Sequence, residues 1–304
     1  MRSTIRLMGI ADWITLGNGV LGTLSILFMI LAFDGFAYGE DHTDKYIWLA
    51  MLFIMLSAIG DLVDGPVARR YSKRRHLGSY LDLMSDSVSF GCAPALLIFA
   101  MFSRLGEASP WWTVPLAIAC CWVVMATMLR LARFQHESDD GNPWFHGLAS
   151  PGNAVLLVSV AGFVWIQPQT SFGPAAIEWA NGSGDHPGFD MIVLPMAFLS
   201  GCMMIADRRM PKANSGMLLR LSLVMLLALL GAIIVQLASP EAAWAADVSA
   251  FGFGLALLLV LVYILLGPSM VTAHWGDEPS EVEGAVTTVL ETAENLLGIQ
   301  SESE

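Results

Sequence analysis

The apolar residues of this chain come in blocks of about twenty, and this pattern restricts the fold more than any other feature. An apolar helix of about 20 residues is long enough to cross the hydrocarbon core of a bilayer. The chain has 304 residues, of which 55% are hydrophobic and 14% are charged, whereas a soluble domain holds about a quarter charged residues. The sequence therefore predicts an all-α, polytopic membrane helical bundle with about eight transmembrane helices. The predicted spans are 14–33, 46–67, 77–102, 111–131, 150–166, 191–206, 217–237 and 248–266.

The basic residues predict the orientation of this bundle. Thirteen of the 15 Lys and Arg residues fall at the amino end, in the loops after the second, fourth and sixth spans, or at span ends on that same side. The opposite side holds only Lys45 and Arg104. Basic loops stay in the cytoplasm, so both termini are expected there, in a multi-pass protein of the cytoplasmic membrane. Nothing in the sequence supports binding to nucleic acid.

A change in composition after Pro268 predicts the domain boundary. Residues 1–268 form the expected transmembrane domain, and residues 269–304 form an acidic cytoplasmic tail. Apolar residues recur in this tail at helical spacing, from Val282 to Leu297. Two interpretations remain open, a solvated tail or a short amphipathic helix that docks on the cytoplasmic face.

Four aspartates in the second and third spans are the most unusual polar residues of the chain. Asp61 and Asp64 are three residues apart, and Asp82 and Asp86 are four apart, so each pair lies on one helix face. The two helices are antiparallel neighbours joined by a cytoplasmic turn, which brings the four carboxylates together. Such a cluster needs compensating charge, and oxygen ligands suit Mg²⁺, Mn²⁺ or Ca²⁺. Two such ions would balance the four charges and are common in phosphoryl chemistry.

The residues between the aspartates fit a phosphate ligand. Gly65, Ala68 and Gly78 are small and would let a bulky group approach the helix backbone. Arg69 offers a planar fork to phosphate oxygens.

Three further polar residues have two possible interpretations each. Arg130 and Arg133 share a face at the cytoplasmic end of the fourth span. They either anchor that helix at the membrane surface or bind an acceptor carboxylate beside a phosphate. Asn18, inside the first span, either contacts a nucleotide or hydrogen-bonds a neighbouring helix.

The spacing D-x₂-D-G-x₂-A-R-x₈-G-x₃-D-x₃-D resembles the signature of the CDP-alcohol phosphatidyltransferases. Its eight positions are Asp61, Asp64, Gly65, Ala68, Arg69, Gly78, Asp82 and Asp86. Members of this family transfer a phosphatidyl group from a CDP-lipid to an alcohol and release CMP. The resemblance implies that Asp61, Asp64 and Asp82 hold metal, and that Asp86 is both a ligand and the general base. It further implies that the three small residues and Arg69 line the CDP site.

Four other stretches are similar to the phosphatidylserine synthase branch of that family. They are ITLGNGVLG, LDLMSDSVSFGCAPALL, LRLARFQ and FHGLASPGNA, all in the first half of the chain. The branch more often has Asn at Gln135 and Pro at Ala149. The resemblance implies L-serine as the acceptor, CDP-diacylglycerol or CDP-archaeol as the donor, Mg²⁺ or Mn²⁺ as the cofactor, and a homodimer in the membrane.

Two alternatives remain at the level of sequence. One is the same reaction with inositol phosphate, glycerol phosphate or choline as the acceptor. The other is a cation transporter, because buried aspartates also bind and move ions. The transporter offers no use for Gly65, Ala68 and Gly78, and the chain shows no inverted repeat. The sequence does not distinguish ester-linked from ether-linked lipid.

Overall fold

The computed structural model describes residues 9–38, 43–71, 75–103, 110–137, 144–171, 189–211 and 216–275. At some helix ends only the backbone is described, namely at residues 10, 11, 36–38, 43, 64–71, 75–77, 110, 137, 189, 190, 216, 243 and 272–275. The apolar pattern predicted in the tail, at residues 282–297, lies outside the described residues.

The described chain is helical almost throughout. Its α-helices are α1 (Ile10–Tyr38), α2 (Thr43–Tyr71), α3 (Arg75–Asp86), α4 (Ala93–Phe102), α5 (Pro110–Glu137), α6 (Ser150–Ile166), α7 (Val193–Ile205), α8 (Gly216–Ala238) and α9 (Ala243–Trp275). A π-helical turn, Ser87–Cys92, joins α3 to α4 without a break, and 3₁₀ turns occupy Gln167–Gln169 and Phe189–Ile192.

Seven of the described segments are long and apolar enough to cross a membrane. They are Asp12–Gly35, Asp44–Val63, Gly78–Phe102, Trp111–His136, Ser150–Gln169, Met217–Ala238 and Trp244–Val271. The prediction of a polytopic membrane bundle is therefore confirmed.

The sixth predicted span is shorter than the others. Its α-helix, α7, has 13 residues, which corresponds to about 20 Å. The 3₁₀ turn Phe189–Ile192 precedes it directly and adds about 8 Å at the rise of that helix type. The combined segment approaches the thickness of about 30 Å that a bilayer core requires.

The π-helical turn interrupts the third predicted span immediately after Asp86. The Ala93 N–H donates to the Val88 carbonyl, five residues earlier. Pro94 has no N–H and lies at the start of α4, so it removes one of the hydrogen bonds that would continue a regular α-helix. Turns of this kind often occur at functional sites, and here the turn directly follows an aspartate of the motif.

Two short strands form a ribbon that the sequence did not predict. Strand β1 (Trp144–His146) pairs antiparallel with β2 (Arg209–Pro211), with Phe145 opposite Met210. The Gly147 N–H donates to the Arg208 carbonyl at 2.8 Å and the Leu148 N–H to the Met203 carbonyl at 3.0 Å. The ribbon therefore ties the α5–α6 connection to the end of α7.

The start of the first described helix, α1, and the last turns of the final described helix, α9, lie on the same side of the bundle. Gly78 lies beside Asp12, the Ser79 hydroxyl donates to the Gln135 side-chain oxygen, and Met210 of β2 packs against Gly267 of α9. The starts of α1 and α3, the end of α5, the ribbon and the last turns of α9 are thus close together. This placement agrees with an even number of membrane crossings.

The opposite half of the bundle is an apolar core. Phe253 of α9 is fully buried, and its ring stacks on Trp48 of α2 with centroids 5.9 Å apart. A Cβ at Gly162 of α6 would overlap the same ring, so the glycine lets α6 and α9 approach closely. The core fixes the helices that carry the polar site at the other end.

Candidate active site

Three of the four motif aspartates meet in the structure. Carboxylate oxygens of Asp61 on α2 and of Asp82 and Asp86 on α3 all lie within 4.8 Å of one another. Asp86 is 7% exposed, and Asp61 and Asp82 are half-buried. α1 packs against both α2 and α3, and the two helices bring together three of the four carboxylates that the spacing predicts.

The donor set of this cluster fits a hard divalent cation. Three close carboxylates repel one another unless positive charge compensates them. They offer oxygen only, which suits Mg²⁺ or Mn²⁺ rather than a soft metal. Asp61, Asp82 and Asp86 are thus the described residues that would hold the metal implied by the resemblance.

The remaining motif residues of α2 lie at its end. Asp64, Gly65, Ala68 and Arg69 belong to the helix, but their side chains lie outside the described residues. Their roles in holding metal and CDP therefore stay predictions.

Asn18 joins three elements beside the cluster. Its carbonyl accepts hydrogen bonds from the hydroxyls of Ser57 on α2, at 3.3 Å, and of Ser89 in the π-helical turn, at 2.9 Å. Its side-chain amide lies against Gly60, where a Cβ would overlap it. Gly60 precedes Asp61 directly, so the buried amide of Asn18 lies next to the aspartate cluster. Its backbone carbonyl bonds neighbouring helices, and the contact of its side chain with a nucleotide stays a prediction.

Asp12 is a buried acidic residue that sequence reasoning missed. Its Oδ2 accepts a hydrogen bond from the Gly9 N–H at 2.8 Å. Its Oδ1 faces Gly78, where a Cβ would lie 2.6 Å away. In sequence it is an acidic residue in the first turn of a helix, a common arrangement that favours the helix dipole, so nothing in the sequence marked its contact with Gly78.

Arg130 is enclosed by protein and does not extend to the membrane surface. The residue is 3% exposed, and its Nε donates to the Leu148 carbonyl at 3.2 Å. Its guanidinium carbon lies 5.3 Å from the ring centroid of Phe134 and 4.9 Å from that of Phe145. The β1 strand and the loop after it therefore fix the position of this cation.

Two contacts show how far along the bundle axis Arg130 lies relative to the aspartates. Gly91 of the π-helical turn packs against Thr127 of α5, and Ser79 of α3 bonds Gln135 of α5. These helices run antiparallel, and Arg130 falls between the two contacts, as Asp86 does on the other helix. Arg130 therefore lies at about the level of Asp86 along the bundle.

Arg133 has different surroundings. Its side chain is 32% exposed and forms an ion pair with Asp207, in the loop between α7 and β2. The hydrogen bond from Arg133 holds the pKa of the Asp207 carboxyl below its usual value. The two arginines that the sequence paired thus occupy different environments, one buried and one at the surface.

Comparison with known proteins agrees with this geometry. Residues 8–184 match the family model described as CDP-alcohol phosphatidyltransferase. The chain is 31% identical over 143 residues to the CDP-diacylglycerol--serine O-phosphatidyltransferase of Mycobacterium tuberculosis, covering 45% of this chain and 46% of that relative. It is 32% identical over 167 residues to the protein of that name in Saccharomyces cerevisiae, with coverage of 52% and 55%. For the protein of that name in Methanocaldococcus jannaschii the identity is 34% over 159 residues, with coverage of 52% and 63%.

The chain spans about half the length of the curated relatives it matches. The family match, in contrast, extends over more than half of this chain and contains the aspartate cluster, Asn18 and Arg130. The chain belongs to the CDP-alcohol phosphatidyltransferase family.

Proposed function

We propose that this chain transfers a phosphatidyl group from a CDP-lipid to the hydroxyl of L-serine and releases CMP. The observation that carries the proposal is the meeting of Asp61, Asp82 and Asp86 within 4.8 Å at the motif positions. The names of the relatives support serine as the acceptor, because each is described as a CDP-diacylglycerol--serine O-phosphatidyltransferase.

The aspartates would hold Mg²⁺ or Mn²⁺, with two ions as the expected number. When bound, such ions neutralise the pyrophosphate of the CDP-lipid and make CMP a better leaving group. In this proposal Asp61, Asp64 and Asp82 are ligands, and Asp86 is both a ligand and the base. Gly65, Ala68, Arg69, Gly78 and Asn18 line the CDP site.

The chemical step assigned to this chain is a single displacement. Asp86 accepts the proton of the serine hydroxyl, and the hydroxyl oxygen forms a bond to the phosphorus on the lipid side of the pyrophosphate. The bond from that phosphorus to the bridging oxygen breaks, and CMP leaves with the electron pair. The burial of Asp86 at the end of α3 excludes bulk water from this position.

Recognition of serine requires a cation for its carboxylate. Arg130 is the stronger candidate of the two arginines, because it is buried, fixed by Leu148 and two aromatic rings, and level with Asp86. A guanidinium binds a carboxylate well in such an environment. Arg133 is the second candidate for a serine or phosphate contact, although it already pairs with Asp207.

We place this site at the cytoplasmic face of the cell membrane. Basic loops flank that end of the bundle in the sequence, and soluble serine and CMP must enter and leave there. The donor is CDP-diacylglycerol or CDP-archaeol, and the lipid chains lie in the bilayer. A homodimer is part of the proposal through the resemblance alone.

The test is an acceptor panel with purified protein in detergent. CMP release from CDP-diacylglycerol and from CDP-archaeol is measured with Mn²⁺ or Mg²⁺ and with serine, inositol phosphate, glycerol phosphate or choline. We expect serine to exceed the other alcohols by at least about 10-fold, because a site built for its charged groups leaves them unpaired with other acceptors. CMP release with a different alcohol alone would contradict the acceptor, and no CMP release with any alcohol would contradict the reaction.

A further inference from the structure

Asn153 is a buried amide without a partner. It lies in the first turn of α6 and is 0% exposed. Neither its Oδ1 nor its Nδ2 has a hydrogen-bond partner within the described part of the chain. A buried side-chain amide without partners is unfavourable, and such groups in folded proteins need an explanation. Binding of a polar ligand is one.

The helical phase shows which side of α6 carries this amide. Nine residues make two and a half turns, so Asn153 lies on the face opposite Gly162. Gly162 packs on Phe253 of α9. Away from α9, α6 packs against elements that include α5, α7 and the π-helical turn. Asn153 therefore points away from α9, and the π-helical turn that follows Asp86 is one of the other elements that α6 packs against.

The connection before α6 brings the same region together. Leu148 lies five residues before Asn153, and its carbonyl holds the Nε of Arg130. Arg130 in turn lies at about the level of Asp86. One short segment, from Leu148 to Asn153, thus positions a cation and carries an unpartnered amide.

Resting on the proposed function, we propose that Asn153 is a specificity-determining residue whose amide binds the amino group of serine. Its Oδ1 accepts a hydrogen bond from the ammonium group, while Arg130 binds the carboxylate. The serine hydroxyl is then left to face Asp86. The amide distinguishes serine from acceptor alcohols that carry no amino group.

The test compares wild type with Asn153→Leu, which has a similar volume and no polar atoms. We expect the serine KM to rise at least about 10-fold, since a hydrogen bond to a charged group is lost. The CDP-lipid KM should change less than about twofold, because the amide contacts only the acceptor. The inhibition constant of 3-hydroxypropanoate, which is serine without its amino group, should also change less than about twofold for the same reason.

Gln167 supplies the matched control. It is a second buried side chain with an unpartnered amide nitrogen in the described chain, and it follows α6 at the opposite end. Gln167→Leu should leave both KM values unchanged. Thermal unfolding in detergent shows whether each variant is folded, and Asn153→Ala replaces Asn153→Leu if the latter does not fold.

A folded Asn153 variant whose serine KM stays within about twofold of wild type would overturn the inference, since a lost contact must weaken binding. Equal rises for serine and 3-hydroxypropanoate would also overturn it, because the amide would then not act on the amino group. Wild-type protein that releases no CMP with serine would contradict the proposed function itself. That result is obtained before any variant is made, so the two failures are distinguishable.

Discussion

Asp86 combines three structural features. It ends α3, precedes the π-helical turn and is nearly buried among other carboxylates. Buried like charges disfavour ionisation unless cations compensate them. Since the motif keeps acidic residues at these positions, the cluster is best explained by bound divalent cations. In the proposed mechanism, the proton acceptor and the metal ligands belong to one group of side chains.

Replacement of Asp86 by Asn tests its role as the base. Asp86→Asn keeps the shape of the side chain and removes the proton acceptor, so we expect kcat to fall by about 10²–10⁴-fold. Binding of CDP-lipid, measured by calorimetry, should persist because the other aspartates still hold metal. Asp247→Asn is the control, because Asp247 binds Ser171 away from the aspartate cluster. Near-normal turnover in Asp86→Asn would show that another group takes the proton.

The two arginines give a second prediction at the scale of residues. Arg130→Lys keeps the charge but loses the planar fork, so the serine KM should rise at least about 10-fold. Arg133→Ala breaks an exposed ion pair of the kind that contributes about 0–1 kcal/mol, so the serine KM should change less than about threefold. Steady-state kinetics with serine varied at saturating CDP-lipid distinguish the two. A larger effect in Arg133→Ala would assign the carboxylate contact to Arg133 instead.

At the scale of elements, the helices were predictable and the irregular segments were not. Twenty-residue apolar blocks and helical spacing predicted the spans and the meeting of Asp61 with Asp82 and Asp86. The π-helical turn has no distinctive hydrophobic periodicity, so the sequence analysis predicted one continuous span across it. The β1–β2 ribbon joins three-residue segments from two separate loops, and a contact between such distant short segments leaves no local pattern.

Gly147 tests the contribution of the ribbon. The backbone at Gly147 has a φ of 74°, a conformation that is unfavourable by about 1–3 kcal/mol for residues other than glycine. A Cβ at this position would also overlap the Met204 carbonyl. We expect Gly147→Ala to lower the thermal unfolding midpoint in detergent and to raise the serine KM, because Leu148 holds Arg130.

Gly231→Ala is the matched control for that variant. Gly231 lies within α8, and a Cβ there would meet nothing within 4 Å. Alanine inside a helix is about 0.5–1 kcal/mol more favourable than glycine, so the midpoint should stay or rise. Equal midpoints for the two variants would contradict the role given to the ribbon.

At the scale of the whole molecule, the polar site occupies one end of an apolar bundle. The sequence predicted this division, since the motif aspartates flank a basic turn and 13 of the 15 Lys and Arg residues were assigned to the same side of the bundle. It did not identify Asp12 or the ligand role proposed for Asn153. A single polar residue near a helix start has no distinguishing pattern, and its burial depends on helices that are distant in sequence. The predicted acceptor, the sidedness and the tail stay predictions.

The dependence of CMP release on divalent cations tests the central claim most directly. Purified protein is given CDP-diacylglycerol and serine, first with Mn²⁺ or Mg²⁺, then after chelation with EDTA, and then after the cation is restored. Since metal stabilisation of the leaving group contributes several kcal/mol, CMP release should fall by at least about 100-fold and recover on restoration. Serine-dependent CMP release that continues unchanged after chelation would contradict the assignment of Asp61, Asp82 and Asp86 to a metal centre.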